Sequence, residues 1–272
     1  MKSAAFEYVR PESLADAVGL LAQASGDAQL MAGGQSLVAM MNLRVASPDL
    51  LIDISRLEEL RAVAENADDA ILGACVTHAA IEDGRVPDPS RGFMPSVAAN
   101  LAYRAVRTRG TLGGSLALAD PAADWPPVMA ALGAHVTLRG PRGPSIVPAV
   151  DFAVGVYETA RAPDEIIENV RIPRLSARGR WGYSKFCRKQ GEFANSIAAV
   201  VRDPARDYAR VVLGAVDGPP IVLQHTSELV MTGEAGDCER VIAEDLQEHA
   251  FDDFHLSLHA AMALRAVRQA LA

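Results

Sequence analysis

The sequence predicts an α+β chain in two parts, and three observations carry that reading. Helix-like and strand-like patterns do not alternate strictly, which disfavours a doubly wound nucleotide-binding sheet. An alternating run at 134–138, a tight Gly-Pro turn at 140–144 and a second run at 145–147 read as an antiparallel hairpin. The polar, basic, glycine-containing stretch 174–180 then shifts the composition and marks a boundary. The expected parts are 1–176, with subdomains of about 1–55 and 56–176, and 177–272. With 272 residues, half of them hydrophobic, the chain can build one large core or two modest ones.

The elements follow from local patterns. Ser13 with Asp16 three residues on, after Pro11, reads as a capped helix start. Leu14, Val18, Leu20 and Leu21 give that helix its apolar face, and Gly26 with Asp27 ends it. Short apolar runs at 28–31 and 50–53 read as strands, and 55–60 as a single helical turn. Residues 71–76 read as a strand, with Thr77 capping a short helix through Asp83. Pro, Asp and Gly make 84–92 a loop, 93–101 has helical spacing, and 128–132 is a small helix. Residues 164–172 form an extended strand closed by Pro173. Beyond the boundary, 181–186, 197–201 and 208–216 read as strands, the second equally compatible with a helix. Residues 238–249 and 252–271 read as helices. The last carries Asp252 and Asp253 at its start and Arg265 and Arg268 near its end, which suits the helix dipole.

The net charge of -8 supplies no basic face for nucleic acid. A small anion held by backbone amides stays open. The three cysteines, Cys75, Cys187 and Cys238, are far apart and form no C-x-x-C. A zinc or iron–sulfur site made by this chain alone is therefore not expected, nor is a disulfide framework. A reducing cytoplasm fits that cysteine usage. The N-terminus lacks a signal-peptide core and no apolar run reaches transmembrane length, so a cytoplasmic protein without a membrane span is expected. His255 and His259 stand four apart near Asp252, a spacing a metal could use. The expectation for them is a solvated or interfacial helix face.

Two glycine stretches hold the candidate chemistry. Upstream, Ala32, Gly33, Gly34, Gln35 and Ser36 follow a short strand. Downstream, Thr111, Leu112, Gly113, Gly114 and Ser115 lead to Asp120 and Asp124. Glycines let the backbone approach a ligand, consecutive amides can form an anion nest, and carboxylates can accept from ribose hydroxyls. Neither stretch has the G-x-G-x-x-G or G-K-[ST] spacing, and either alone reads equally well as a tight turn. Together they suggest loops that hold a dinucleotide between them. Pro121 makes Asp120 a natural helix cap, which leaves Asp124 as the carboxylate expected to touch the ligand.

Ala32-Gly-Gly-Gln-Ser-Leu with Met41-Asn-Leu-Arg44, and Thr111-Leu-Gly-Gly-Ser with Ala119-Asp-Pro-Ala-Ala-Asp124, resemble the FAD-binding medium subunit of the molybdenum hydroxylases, of the carbon monoxide dehydrogenase and xanthine dehydrogenase type. The opening from Phe6 through Leu14, Leu51-Ile-Asp-Ile-Ser55, and the run from Tyr183 through Lys185 to Ala194 extend the resemblance over nearly the whole chain. It is weak over 223–250, and Trp125 departs from the usual residue there.

The resemblance implies a two-part FAD-binding domain of the PCMH (vanillyl-alcohol oxidase-like) type, then a smaller α+β domain with a short antiparallel sheet and helices. It implies backbone amides of both glycine stretches on the FAD diphosphate, and Asp124 on the ribitol or ribose. Ile166 and Ile167 would line the flavin or adenine, Lys185 would lie near the pyrimidine edge of the isoalloxazine, and Phe193 near the ring. Further contacts are implied for Leu101, Ala102, Val106 and Leu118. Gln35 stands where some flavoproteins of the wider fold attach FAD to histidine, so the FAD is expected to be non-covalent. No side-chain catalyst and no metal ligand are implied in this chain.

Molybdopterin and [2Fe–2S] clusters are implied only in partner subunits, a large molybdenum subunit and a small iron–sulfur subunit, arranged as a dimer of heterotrimers. Electrons would pass through the clusters to FAD and on to an external acceptor such as NAD⁺, a quinone or oxygen. A stand-alone flavin oxidase or reductase of the same fold and a non-catalytic nucleotide-binding protein are the alternatives.

Overall fold

Short apolar strands flanked by capped helices open the chain. In a computed structural model, which describes residues 2–234 and 236–272, β1 (Glu7–Val9), α1 (Leu14–Gln23), β2 (Ala28–Met31), α2 (Leu37–Asn42) and β3 (Leu50–Asp53) form the first unit. Its strands are parallel in the order β1-β3-β2. Ser13 caps α1 as expected, its hydroxyl accepting from the Asp16 amide at 3.1 Å. Leu14, Ala17 and Val18 then bury against Ile52, Ile54, Leu57 and Leu60. Residues 55–60 turn without closing a helix. The Leu60 and Ala62 carbonyls accept instead from Cys75 at 2.7 Å and Gly73 at 2.9 Å, which draws this segment towards the second sheet.

The second unit contains β4 (Val63–Glu65), β5 (Asp69–Gly73), α3 (His78–Glu82), α4 (Phe93–Ala99), α5 (Arg104–Arg107), α6 (Leu112–Leu118), α7 (Trp125–Leu132), β6 (His135–Gly140), β7 (Gly143–Pro148), β8 (Ala153–Gly155), β9 (Glu158–Thr159) and β10 (Ile166–Pro173). Five of its strands make an antiparallel sheet in the order β4-β5-β10-β6-β7, with the expected β6–β7 hairpin. Every residue of α7 is buried. Pro126 and Pro127 fit its first turn, where amide donors are dispensable, and Gly133 ends it in a left-handed conformation. The helix therefore starts three residues earlier than its apolar run suggests.

The third unit holds β11 (Arg180–Phe186), β12 (Ser196–Asp203), β13 (Tyr208–Gly214), β14 (Ile221–Val222), α8 (Gln224–Thr232), α9 (Cys238–Gln247) and α10 (Asp253–Leu271). Its four strands are antiparallel in numerical order. The segment with two readings, β12, is a strand covered on both faces. Ala199 and Val201 join the apolar cluster that includes α7, while Ala198 and Val200 join the cluster of α8, α9 and α10. Burial on both faces removes the alternation that identifies a half-buried strand. We propose 1–176 and 177–272 as the two folding parts because they share no sheet, although one apolar cluster spans them.

The C-terminal histidines correct one expectation. His259 is 1% exposed and its Nδ1 lies 2.8 Å from the Ser196 hydroxyl, so this face of α10 packs on the sheet. Burial pushes His259 down to about 4. Outside the sheet contact, His255 pairs with the helix cap Asp252 at 2.9 Å. Among the described residues no group of three or more His, Cys, Asp or Glu side chains could hold a metal.

Candidate functional site

The two glycine stretches come together at the ends of β2 and α5. At Gly33 an added Cβ would run into the Arg109 carbonyl, so the backbone of 109–110 lies directly on this residue. The Arg109 Nε also donates to the Gly33 carbonyl at 3.3 Å. Gly34 takes a φ of +70°, a conformation glycine adopts without a Cβ penalty, and turns the chain into α2. Among the described residues the amides of Gly33, Gly34, Gln35 and Ser36 donate to no protein acceptor. Gln35 and Ser36 are exposed and the two glycines are partly so. Four successive donors at an accessible turn are what a diphosphate requires.

The downstream stretch is the first turn of α6 and not a loop. Thr111 caps it, its hydroxyl accepting from Gly114 at 3.1 Å. The Leu112 amide donates to Val76 at 3.0 Å, Gly113 to Ala74 at 2.9 Å and Ser115 to Thr111 at 3.0 Å. These four amides are thus satisfied within the protein. Amide wrapping from both sides therefore narrows to the upstream stretch. Glycine is needed at 113 because a Cβ would meet the Ala74 Cβ at 2.5 Å. At 114 a Cβ would project to 3.9 Å from the Ala32 Cβ, so the bare Gly114 Cα faces the upstream stretch. One stretch supplies donors and the other a close wall with the Ser115 hydroxyl nearby in sequence. The cradle and its donor set fit a dinucleotide.

The other expected positions separate by exposure. Leu101 and Ala102 are partly buried and held by Arg107, which donates to their carbonyls at 2.8 and 3.2 Å and to Glu82 at 2.8 and 2.9 Å. Ala102 adopts a left-handed φ of +36°. Val106 and Leu118 are partly buried. Ile166 and Ile167 are enclosed by protein at 1% and 4% exposure, side chain and main chain alike. Phe193 is 67% exposed. It lies in the 187–195 loop, where Gly191 packs so closely on the exposed Tyr103 ring that a Cβ would come within 2.7 Å of it.

Asp124 and Lys185 are brought together although they are far apart in sequence. Asp124 caps the start of α7 by position and is 4% exposed. The Lys185 ammonium donates to its Oδ2 at 2.9 Å, and the Tyr183 hydroxyl donates to its Oδ1. Burial pushes the Asp124 carboxyl up, and Lys185 and Tyr183 pull it back. Asp120, expected as a helix cap, instead closes a turn by accepting from Ala122 at 2.9 Å, and it accepts from the Tyr157 hydroxyl at 3.2 Å. Trp125 is fully buried and donates to His78 Nδ1 at 3.0 Å. That bond ties α7 to α3 behind α6, and burial pushes His78 down to about 4. Sequence reasoning assigned no role to Tyr183. The signal was its i, i+2 relation to Lys185, which puts both side chains on one face of a strand.

Residues 4–175 match the family described as the FAD binding domain in molybdopterin dehydrogenase. The chain is 35% identical over 225 residues to the caffeine dehydrogenase subunit beta of Pseudomonas sp. (strain CBB1), covering 81% of this chain and 76% of that one. It is 38% identical over 196 residues to the carbon monoxide dehydrogenase medium chain of Hydrogenophaga pseudoflava, covering 72% and 68%. A solved structure of carbon monoxide dehydrogenase from the same organism superposes with a TM-score of 0.92 at 32% identity, covering 99% of this chain and 98% of the other.

Proposed function

This chain belongs to the family of FAD-binding domains of molybdopterin dehydrogenases, and on that premise we propose that it carries electrons out of a molybdenum hydroxylase. It is an FAD-binding oxidoreductase subunit of that family. In the proposed reading it takes electrons from [2Fe–2S] clusters of a small partner subunit and passes them to an external acceptor. A large partner subunit holds the molybdopterin, and the assembly is a dimer of heterotrimers in the cytoplasm. No helix among the described residues is long and apolar enough to cross a membrane.

The observation that carries this reading is the pairing of four free amides at 33–36 with the bare Cα of Gly114, inside a chain similar along its length to a medium subunit. Bound FAD supplies the redox chemistry. The residues of the chain bind and orient. Gly33, Gly34, Gln35 and Ser36 hold the diphosphate by amide donation, with Ala32 opposite Gly114. Thr111, Leu112, Gly113 and Ser115 shape the facing wall. Leu101, Ala102, Val106 and Leu118 border the cradle, Asp124 and Lys185 set its charge, and the 187–195 loop brings Phe193 to it. Ile166 and Ile167 back the cradle from within the core, in the clusters against which Ala32 and Leu101 pack.

Two relatives act on caffeine and on carbon monoxide by their names, which are chemically unlike substrates. That contrast supports substrate choice lying outside this kind of subunit.

The test is purification from the native host without dissociation. The expected result is a yellow protein with molybdenum- and iron-containing partners, whose flavin leaves with the supernatant on acid precipitation. A colourless chain arriving alone contradicts the reading. Flavin that stays on the precipitate contradicts the non-covalent assignment.

A further inference from the structure

The Asp124–Lys185 pair lies where the second unit meets the third, with its acid at the N-terminal cap position of α7 and its base on β11. We infer that Tyr183 is a positioning residue that fixes the Asp124 carboxylate, and through it the Lys185 ammonium, for the cofactor. The inference rests on the flavin reading of Asp124 and Lys185 given above.

Tyr183 and Lys185 are two apart on β11, so they project from the same face. Each donates to a different oxygen of one carboxylate. Asp124 is buried, and a buried carboxylate oxygen without a donor is costly. Its geometry is therefore set by these two donors.

The phenol has little freedom. Its ring tilts against Phe93 of α4 at 6.1 Å between centroids, and Phe93 stacks on Trp181 at 5.0 Å. Its backbone amide donates to Gln269 of α10 at 2.8 Å. Tyr183 is thus held by Gln269 of the third unit and Phe93 of the second, and that fixed position sets a carboxylate of the second unit. The Lys185 ammonium has three donors. Anchoring one of them to a fixed carboxylate orients the other two.

The charged and titratable groups around the carboxylate are few. From β11 come Lys185 and Tyr183, with Cys187 just beyond on the Tyr183 side. Ala199 and Ile197, opposite them on β12, do not titrate, nor do Trp125 on α7 or Phe93 on α4. Protonation of Asp124 releases the anchor of Lys185. Burial already favours the neutral acid, and the Tyr183 hydroxyl opposes that shift. Removing the hydroxyl therefore moves protonation to higher pH.

The experiment follows FAD retained by the FAD-loaded protein, as isolated from its host, across a series from acid to neutral pH. Wild type, Tyr183→Phe and Asp124→Asn are compared, with circular dichroism and thermal unfolding of each. In Tyr183→Phe the acid midpoint of FAD release is expected to rise by about one pH unit, a roughly tenfold change in proton affinity. Asp124→Asn is expected to bind FAD more weakly and to lack that acid limb. Placing 3-fluorotyrosine at 183 preserves the packing and strengthens the donor, and is expected to lower the midpoint. A wild-type midpoint in Tyr183→Phe, or uniform FAD loss at every pH with a lowered melting temperature, overturns the positioning role while leaving Asp124 as a cofactor residue. Wild-type FAD affinity with an unchanged acid limb in Asp124→Asn overturns the flavin reading of the pair and the inference with it.

Discussion

Gly33 has the least latitude of any residue in the site. A Cβ there collides with main chain at Arg109, which cannot swing away as a side-chain tip can. Gly33→Ala is expected to cost about 1–3 kcal/mol by forcing the two stretches apart. It should also lower FAD occupancy, read by urea unfolding and by flavin absorbance per chain. At Gly114 the nearest obstacle is the Thr111 hydroxyl at 2.7 Å, and beyond it the side chain faces Ala32. A bulky Gly114→Leu should therefore expel FAD from a chain that still folds. Full flavin content in Gly114→Leu would refute the proposed cradle. The amides of residues 33–36 were legible as a nest that a glycine turn can form and, by resemblance, as diphosphate donors, but not as donors left free by the fold. Their availability depends on what the neighbouring chain consumes, and no local pattern records that.

At the scale of elements, α6 shows where sequence reasoning stops. Two adjacent glycines are poor helix formers, so Thr111-Leu-Gly-Gly-Ser reads as a loop. The helix forms because Thr111 caps it and because Val76 and Ala74 accept the Leu112 and Gly113 amides from outside. Thr111→Val, which removes the cap and retains the shape, should destabilise the protein by roughly 1 kcal/mol, while Thr111→Ser should be nearly neutral in denaturant titration. By contrast α1, β2, β3, the β6–β7 hairpin and α10 were legible because each carries its own cap, turn or periodicity. Short α2 and α5 lack such marks, and β12 lacked alternation because both of its faces are covered. Asp124 and Lys185 were legible as a resemblance, whereas their ion pair and Tyr183 required the register of β11 against α7.

Across the whole molecule, two buried histidines predict its acid response. His78 and His259 are both held neutral, their values pushed from 6.5 down to about 4 by burial. The unfolded chain binds protons at these sites before the folded chain does. Their contribution is thus present above pH 6.5 and lost as pH falls towards about 4. Urea midpoints measured across that window should decline steadily, and a flat profile would contradict neutral burial. One of these residues stands behind α6 and the other joins α10 to β12, so acid loosens the second and third units together.

As proposed, this chain is the exit point for electrons of a larger enzyme. The most direct measurement is anaerobic stopped-flow of the intact complex with its substrate, following iron–sulfur and flavin absorbance together. Oxidised-flavin absorbance is expected to fall only when the iron–sulfur partner is present and to return on adding an acceptor. Flavin that stays oxidised beside reduced clusters, or that is reduced by substrate in the isolated chain, would contradict it.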